Sequence, residues 1–183
     1  RSSVWFYLTA SGGLARSPIV QSGGDRQQGL IQSCRVGVHR VSRLGSGDPA
    51  CCQTKNRLDE NRIDLVPAMN EDLAATIMLG TQQVETDEDR QVDGVFGLWY
   101  GKGPGVDRAG DALKHGTTYG SSPHGGVLVV AGDDHGCVSS SMPHQSDVAF
   151  MSFFMPTINP ANIAEYLEFG LWGYALSLAL IPI

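Results

Sequence analysis

The run Gly126–Ala131, GVLVVA, constrains what this chain can fold into more than any other segment. It is a continuous branched apolar stretch without polar alternation. A strand of that kind forms where both faces of a parallel sheet are covered by helices. Shorter runs of the same character surround it. Ile63–Val66 and Gly94–Tyr100 (GVFGLWY) read as strands, and Met155–Ile158 as another short one. Helical patterns fall between them. Asn70 followed by Glu71 and Asp72 predicts an N-cap with acids in the first turn, opening a helix through about Gln83. Leu73, Ala74, Ile77 and Thr81 are expected on its buried stripe. Gly101–Asp107 turns the chain into a second helix carrying Ala109, Ala112 and Leu113. Ser139, Ser140 and Ser141 read as a helix start, and Pro160 as the first turn of a helix through Leu171. Strands alternating with helices imply an α/β fold of three layers, doubly wound about a mainly parallel sheet. With 183 residues, the chain is read as one domain, 1–183.

In such sheets ligands bind beyond the carboxyl ends of the strands. Three polar clusters follow predicted strands and so converge on one edge: Asn70-Glu71, Gly101-Lys102-Gly103-Pro104-Gly105, and Gly132-Asp133-Asp134-His135-Gly136. A phosphate loop is one reading of the glycine cluster, since successive glycines leave N–H groups free to face an anion. It lacks the GK[ST] of a Walker loop and the full GxGxxG fingerprint, so a tight strand-to-helix turn is preferred. Asp133, Asp134, His135 and His144 are residue types that suit a divalent cation, but adjacent residues rarely share one ion, and polar capping of a strand end is the preferred reading. No Gly-x-Ser-x-Gly elbow supports a serine hydrolase. Glu71, an acid early in a helix at the sheet edge, is read on its position alone as a carboxylate that complements the helix dipole, in preference to a catalytic group.

Charge narrows the partners. The formal net charge of -6 argues against a nucleic-acid surface. It is unevenly spread: residues 1–60 hold eight Lys/Arg and four Asp/Glu, and residues 61–183 hold five and fifteen. Cys34, Cys51, Cys52 and Cys137 have no zinc or iron–sulfur spacing and are read as reduced thiols. The apolar run Val4–Leu8 is short for a signal-peptide core, and Leu171–Ile183 is shorter than the roughly 20 residues that span a bilayer. A cytoplasmic setting without membrane contact is expected.

Four stretches carry a family resemblance: RLDENRIDLVPAMNEDLAAT, DGVFGLWYGKGPGVDRAGDALKHG, SSPHGGVLVVAGDDHGCVSSSMPHQSD and NPANIAEYLEFG. From Asp59 to about Ala175 the chain resembles the N-terminal region of indolepyruvate ferredoxin oxidoreductases, of the 2-oxoacid:ferredoxin oxidoreductase family. A weaker likeness covers Tyr7–Leu30. The resemblance implies a thiamine-diphosphate-binding fold, with this segment as the domain that holds the cofactor's aminopyrimidine. It implies that Glu71 is the activating glutamate, whose carboxyl bonds the ring nitrogen N1′ and promotes proton removal from the thiazolium. It further implies cofactor contacts from Asn70, Lys114 and His115, the last two in a loop on the same edge. Asp133, Asp134, Ser140, His144 and Gln145 become candidates for orienting the oxoacid. The implied reaction is oxidative decarboxylation of an arylpyruvate such as indolepyruvate, with electrons passing through 4Fe-4S clusters to ferredoxin and the acyl group to coenzyme A.

The chain also departs from that family. Residues 31–52 read IQSCRVGVHRVSRLGSGDPACC, arginine-rich and without clear period, where the family has a strand and a Gly-Tyr/Phe-Arg/Pro-Gly-Ser/Thr-Pro turn. A reading-frame slip is the expected cause in this stretch, and a similar slip or a truncation at the atypical end 178–183, leaving the expected fold incomplete there. The Gly-Asp-Gly to Asn stretch that binds magnesium and diphosphate is missing, as are the cluster cysteines. Mg2+ and the clusters are therefore expected in other domains or a separate subunit, in an oligomeric full-length enzyme, with the isolated chain inactive and no metal ligand assigned here. The competing expectations are a frameshifted, non-catalytic domain and a stand-alone metal- or nucleotide-binding module.

Overall fold

A computed structural model describes residues 6–11, 34–40, 60–137 and 142–178. In chain order its elements are β1 (Phe6–Ser11), β2 (Cys34–Arg40), β3 (Ile63–Pro67), α1 (Glu71–Thr81), β4 (Gly94–Lys102), α2 (Gly103–Arg108), α3 (Gly110–Tyr119), β5 (Gly126–Asp133), α4 (Ser146–Ser152), β6 (Thr157–Ile158) and α5 (Ile163–Leu178). The six strands form one sheet in the order β3-β2-β4-β5-β1-β6. Every pairing is parallel, so all carboxyl ends share one edge. The molecule is thus an α/β protein with a parallel sheet.

β5 shows why its sequence lacks alternation. Val127, Val129 and Ala131 point into a core built with Ala74, Ala75 and Met78 of α1, Val106 of α2, Leu113 of α3 and Phe150 of α4. Leu128 and Val130 point to the other face, where Tyr166, Phe169, Tyr174 and Leu176 of α5 cover them. Helices therefore lie on both sides of the sheet. On the α5 side, the Tyr174 hydroxyl donates to the Gly97 carbonyl at 3.2 Å, and its ring meets Phe96 edge-on. Burial pushes the Tyr174 phenol well above its ordinary pKa.

Four sequence expectations are corrected. The stretch around 31–47 contains a strand, β2, which pairs with β3 on one side and β4 on the other. Its Val36 and Val38 do keep a period of two, but the arginines beside them mask it, and pairing on both sides decides the outcome. On α1 the buried face is Ala74, Ala75 and Met78, continuing to Gln82, while Leu73 and Ile77 are 44% and 41% exposed. The stripe is turned by one residue because small side chains let the helix lie close to the sheet.

The second helix is the third case: it is two helices, α2 and α3, meeting at Ala109, and they follow β4 by the tight turn expected of the glycine cluster. Gly101 and Lys102 finish β4, and Gly103-Pro104-Gly105 already belong to α2, with proline in its first turn. Last, α5 starts at Ile163 rather than Pro160 and continues past Leu171. Asn162 and Glu165 explain the later start. Asn162 Oδ1 accepts from the Glu165 N–H at 3.0 Å, and the Glu165 carboxylate accepts from the Ala161 N–H at 2.7 Å, a reciprocal capping arrangement. No described helix is long and apolar enough to cross a membrane. Ser139, Ser140 and Ser141, most of 31–52 and residues 179–183 lie outside the described residues.

Candidate functional site at the carboxyl edge of the sheet

Strand order locates a crevice. From β2 the chain steps outward to β3, whereas from the neighbouring β4 it steps the opposite way to β5. Adjacent strands whose continuations diverge in this way form a switch point, the usual ligand site of an open parallel sheet. Two elements flank its carboxyl edge: the start of α1, which follows β3, and α2, which follows β4 directly.

Glu71 lies between them. Asn70 caps α1 by accepting from the Leu73 N–H at 2.8 Å, so its side chain is committed to the helix end. The buried indole of Trp99 donates to the Glu71 carbonyl at 3.2 Å and fixes the first turn against β4. The Glu71 side chain then runs over α2 at Gly105, where a Cβ would come within 2.6 Å of its Cγ. Its carboxylate reaches Arg108, Oε2 to Nε 4.0 Å, and the side chain stays 22% exposed. Among the described residues, the Glu71 carboxylate makes only this long contact.

The β5 end is more tightly engaged. Asp133 Oδ2 accepts from the Ser146 N–H at 2.7 Å, and Oδ1 from the Ser146 hydroxyl at 2.5 Å. It serves as the cap of α4 from 13 residues upstream, since Gln145 at the N-cap makes no capping bond and instead donates from Nε2 to Asp147 at 3.2 Å. Asp134 pairs with Lys102 at 3.7 Å. His144 Nε2 lies 2.8 Å from Asp107 Oδ2, its Nδ1 lies 3.2 Å from the Met142 carbonyl, and its own carbonyl is 2.9 Å from His135 Nδ1. The hydrogen bond to Asp107 raises the His144 pKa, and its backbone bond to Met142 and the nearby Asp133 carboxylate act in the same direction.

The structure thus brings Glu71, Asp133, Asp134, His144 and Gln145 to the edge where the sequence places them, with Lys102 beside them. Lys114 and His115 belong to helix α3 and not to a loop. Lys114 Nζ sits 5.3 Å above the Phe153 ring, and His115 bonds the Asp111 carbonyl at 2.9 Å. Ser140 lies outside the described residues. Sequence reasoning missed Asp107, Arg108, Trp99 and Ser146. The adjacent opposite charges Asp107-Arg108, interrupting a run of small residues, are the one local signal that marked any of them. Among the described residues no group of three or more His, Cys, Asp or Glu side chains is placed to hold a metal ion.

Comparison with protein-family models, with curated proteins and with solved structures finds no match.

Proposed function

We propose that this chain is the aminopyrimidine-binding part of a thiamine-diphosphate-dependent 2-oxoacid:ferredoxin oxidoreductase of the indolepyruvate type. The motif resemblance from Asp59 to about Ala175 suggests it, and one structural observation supports it above others. Glu71 opens α1 at the switch-point edge with a partly exposed carboxyl and, among the described residues, no close hydrogen-bonded partner fixing it. A carboxyl so placed has the donor and acceptor capacity that an aminopyrimidine ring nitrogen needs.

The residues present fit one end of the cofactor. Bound thiamine diphosphate supplies an electron sink for decarboxylation of the oxoacid. Glu71 holds or gives a proton at its carboxyl oxygen. Asn70 and Trp99 keep the first turn of α1 in place, and Gly105 leaves the room that its side chain occupies. Arg108 and Lys102 supply positive charge to the same edge for an acidic substrate. Asp133 and His144 hold the polypeptide around the site, since both carboxylate oxygens and both ring nitrogens already face partners. The diphosphate and Mg2+ have no corresponding residue set in this chain and belong to another domain or subunit.

The flanking DNA tests this reading. It is expected to encode, downstream or in a neighbouring gene, a Gly-Asp-Gly to Asn stretch and the cluster cysteines. Another frame across codons 31–52 is expected to restore a Gly-Tyr/Phe-Arg/Pro-Gly-Ser/Thr-Pro turn. Their joint absence would rule the reading out.

A further inference from the structure

The segment entering α4 is fastened to α2 by a histidine whose two ring nitrogens both face acceptors. His144 Nε2 faces the Asp107 carboxylate at 2.8 Å, and Nδ1 faces the Met142 carbonyl at 3.2 Å. Both neighbours are acceptors. A neutral imidazole carries one N–H and satisfies only one of them, whereas the imidazolium satisfies both. The ring is largely covered, with its side chain 15% exposed. Its side chain lies so close to α2 that a Cβ at Gly103 would overlap the His144 Cβ.

Two further contacts make this a junction. The His144 carbonyl meets His135 Nδ1 at 2.9 Å, tying the segment to the turn after β5. Two residues on, Ser146 is bound to Asp133 through both its N–H and its hydroxyl. The charged groups on the surrounding elements are Asp107 and Arg108 on α2, Lys102 at the end of β4, Asp133 and Asp134 at the end of β5, His135 after it, and Asp147 in α4. Asp133 and Asp107 both favour the cationic ring.

We propose that His144 and Asp107 form a pH-operated clasp that holds the entrance of α4 onto α2 while the imidazole is protonated and lets it loosen when the proton leaves. The sign follows from linkage. His144 titrates above its ordinary value of 6.5 in the folded chain, so the clasp is fully present below about 6.5 and is lost as pH rises through the higher folded value. Loss of the proton leaves the Met142 carbonyl or the Asp107 carboxylate without its donor. Because the clasp sits at the carboxyl edge beside Lys102 and Asp134, its release changes how firmly one wall of the candidate site is held.

The test uses the 183-residue chain, with ring-nitrogen NMR of His144 and amide hydrogen exchange followed from pH 5.5 to 8.5, corrected for intrinsic exchange. Both ring nitrogens are expected to report N–H at low pH, with a midpoint above the ordinary 6.5. Protection of Ser146, Val148 and Ala149 is expected to fall several-fold through that midpoint, while the β5 amides Val127–Ala131 stay constant. Asp107 is 64% exposed at its side chain, so Asp107→Asn is expected to fold. In that variant the His144 midpoint drops and the pH-dependent step in α4 protection moves with it. His144→Gln removes the step altogether. A neutral His144 at low pH, or a protection profile for α4 that is flat with pH or unmoved by Asp107→Asn, would overturn the proposal.

Discussion

Asp133 and Ser146 are joined twice, the carboxylate at the end of β5 accepting both the N–H and the hydroxyl of the residue that starts α4. Both side chains are buried. A helix start without a local cap is thereby held by a residue from the sheet.

Removing the carboxylate leaves the Ser146 N–H and hydroxyl buried without an acceptor. Asp133→Ala is therefore expected to destabilise the chain by about 2–3 kcal/mol and Ser146→Ala by about 1 kcal/mol, from the cost of unsatisfied and lost hydrogen bonds. Urea unfolding of the two variants checks this. An unchanged midpoint for Asp133→Ala would show that the double bond carries no stability.

The end of α4 makes a second case. Phe154 has φ 59° and is 83% exposed, and the bonds Phe154 N–H to Met151 O and Met155 N–H to Phe150 O close the helix in a Schellman pattern. A left-handed residue at that position normally lacks a Cβ, which costs roughly 1–2 kcal/mol here. Phe154→Gly is expected to raise stability by about 0.5–1 kcal/mol, the relief being partly offset by the greater freedom of glycine in the unfolded chain. A lower unfolding midpoint in the glycine variant would mean that the phenyl ring makes a compensating contact.

Leu73 and Met78 on α1 reverse the order of importance that their sequence suggests. Met78 is fully buried against β4 and Leu73 is 44% exposed. Met78→Ala is expected to cost about 2–5 kcal/mol, as for a buried large-to-small change, and Leu73→Ala under about 1 kcal/mol. Equal losses in thermal unfolding would place the buried face of α1 where the sequence reading put it.

These residues also show what was legible beforehand. GVLVVA could be recognised alone because a strand covered on both faces needs no alternation, so its neighbours do not disguise it. Asn70-Glu71 and Asp133-Asp134 were legible because polar residues following apolar runs mark strand ends and helix starts. The α1 face was misjudged because Leu73 and Ile77 have more apolar area than Ala74 and Ala75, yet close approach to the sheet favours the smaller pair. β2 was hidden because two valines among arginines become a strand only when β3 and β4 flank them. Asp107 with His144 spans 37 residues, and Asp133 with Ser146 spans 13. Such pairings are tertiary, and no local pattern carries them.

Glu71 is the residue on which the proposed function turns. Its most direct measurement is ferredoxin reduction driven by indolepyruvate and coenzyme A in the proposed full-length enzyme, comparing the native chain with Glu71→Ala. The native protein is expected to turn over, and the variant to lose about 10²- to 10⁴-fold, the range for removal of a proton-transferring group. No turnover in the native protein, or near-native turnover after Glu71→Ala, would contradict the role assigned to this carboxyl.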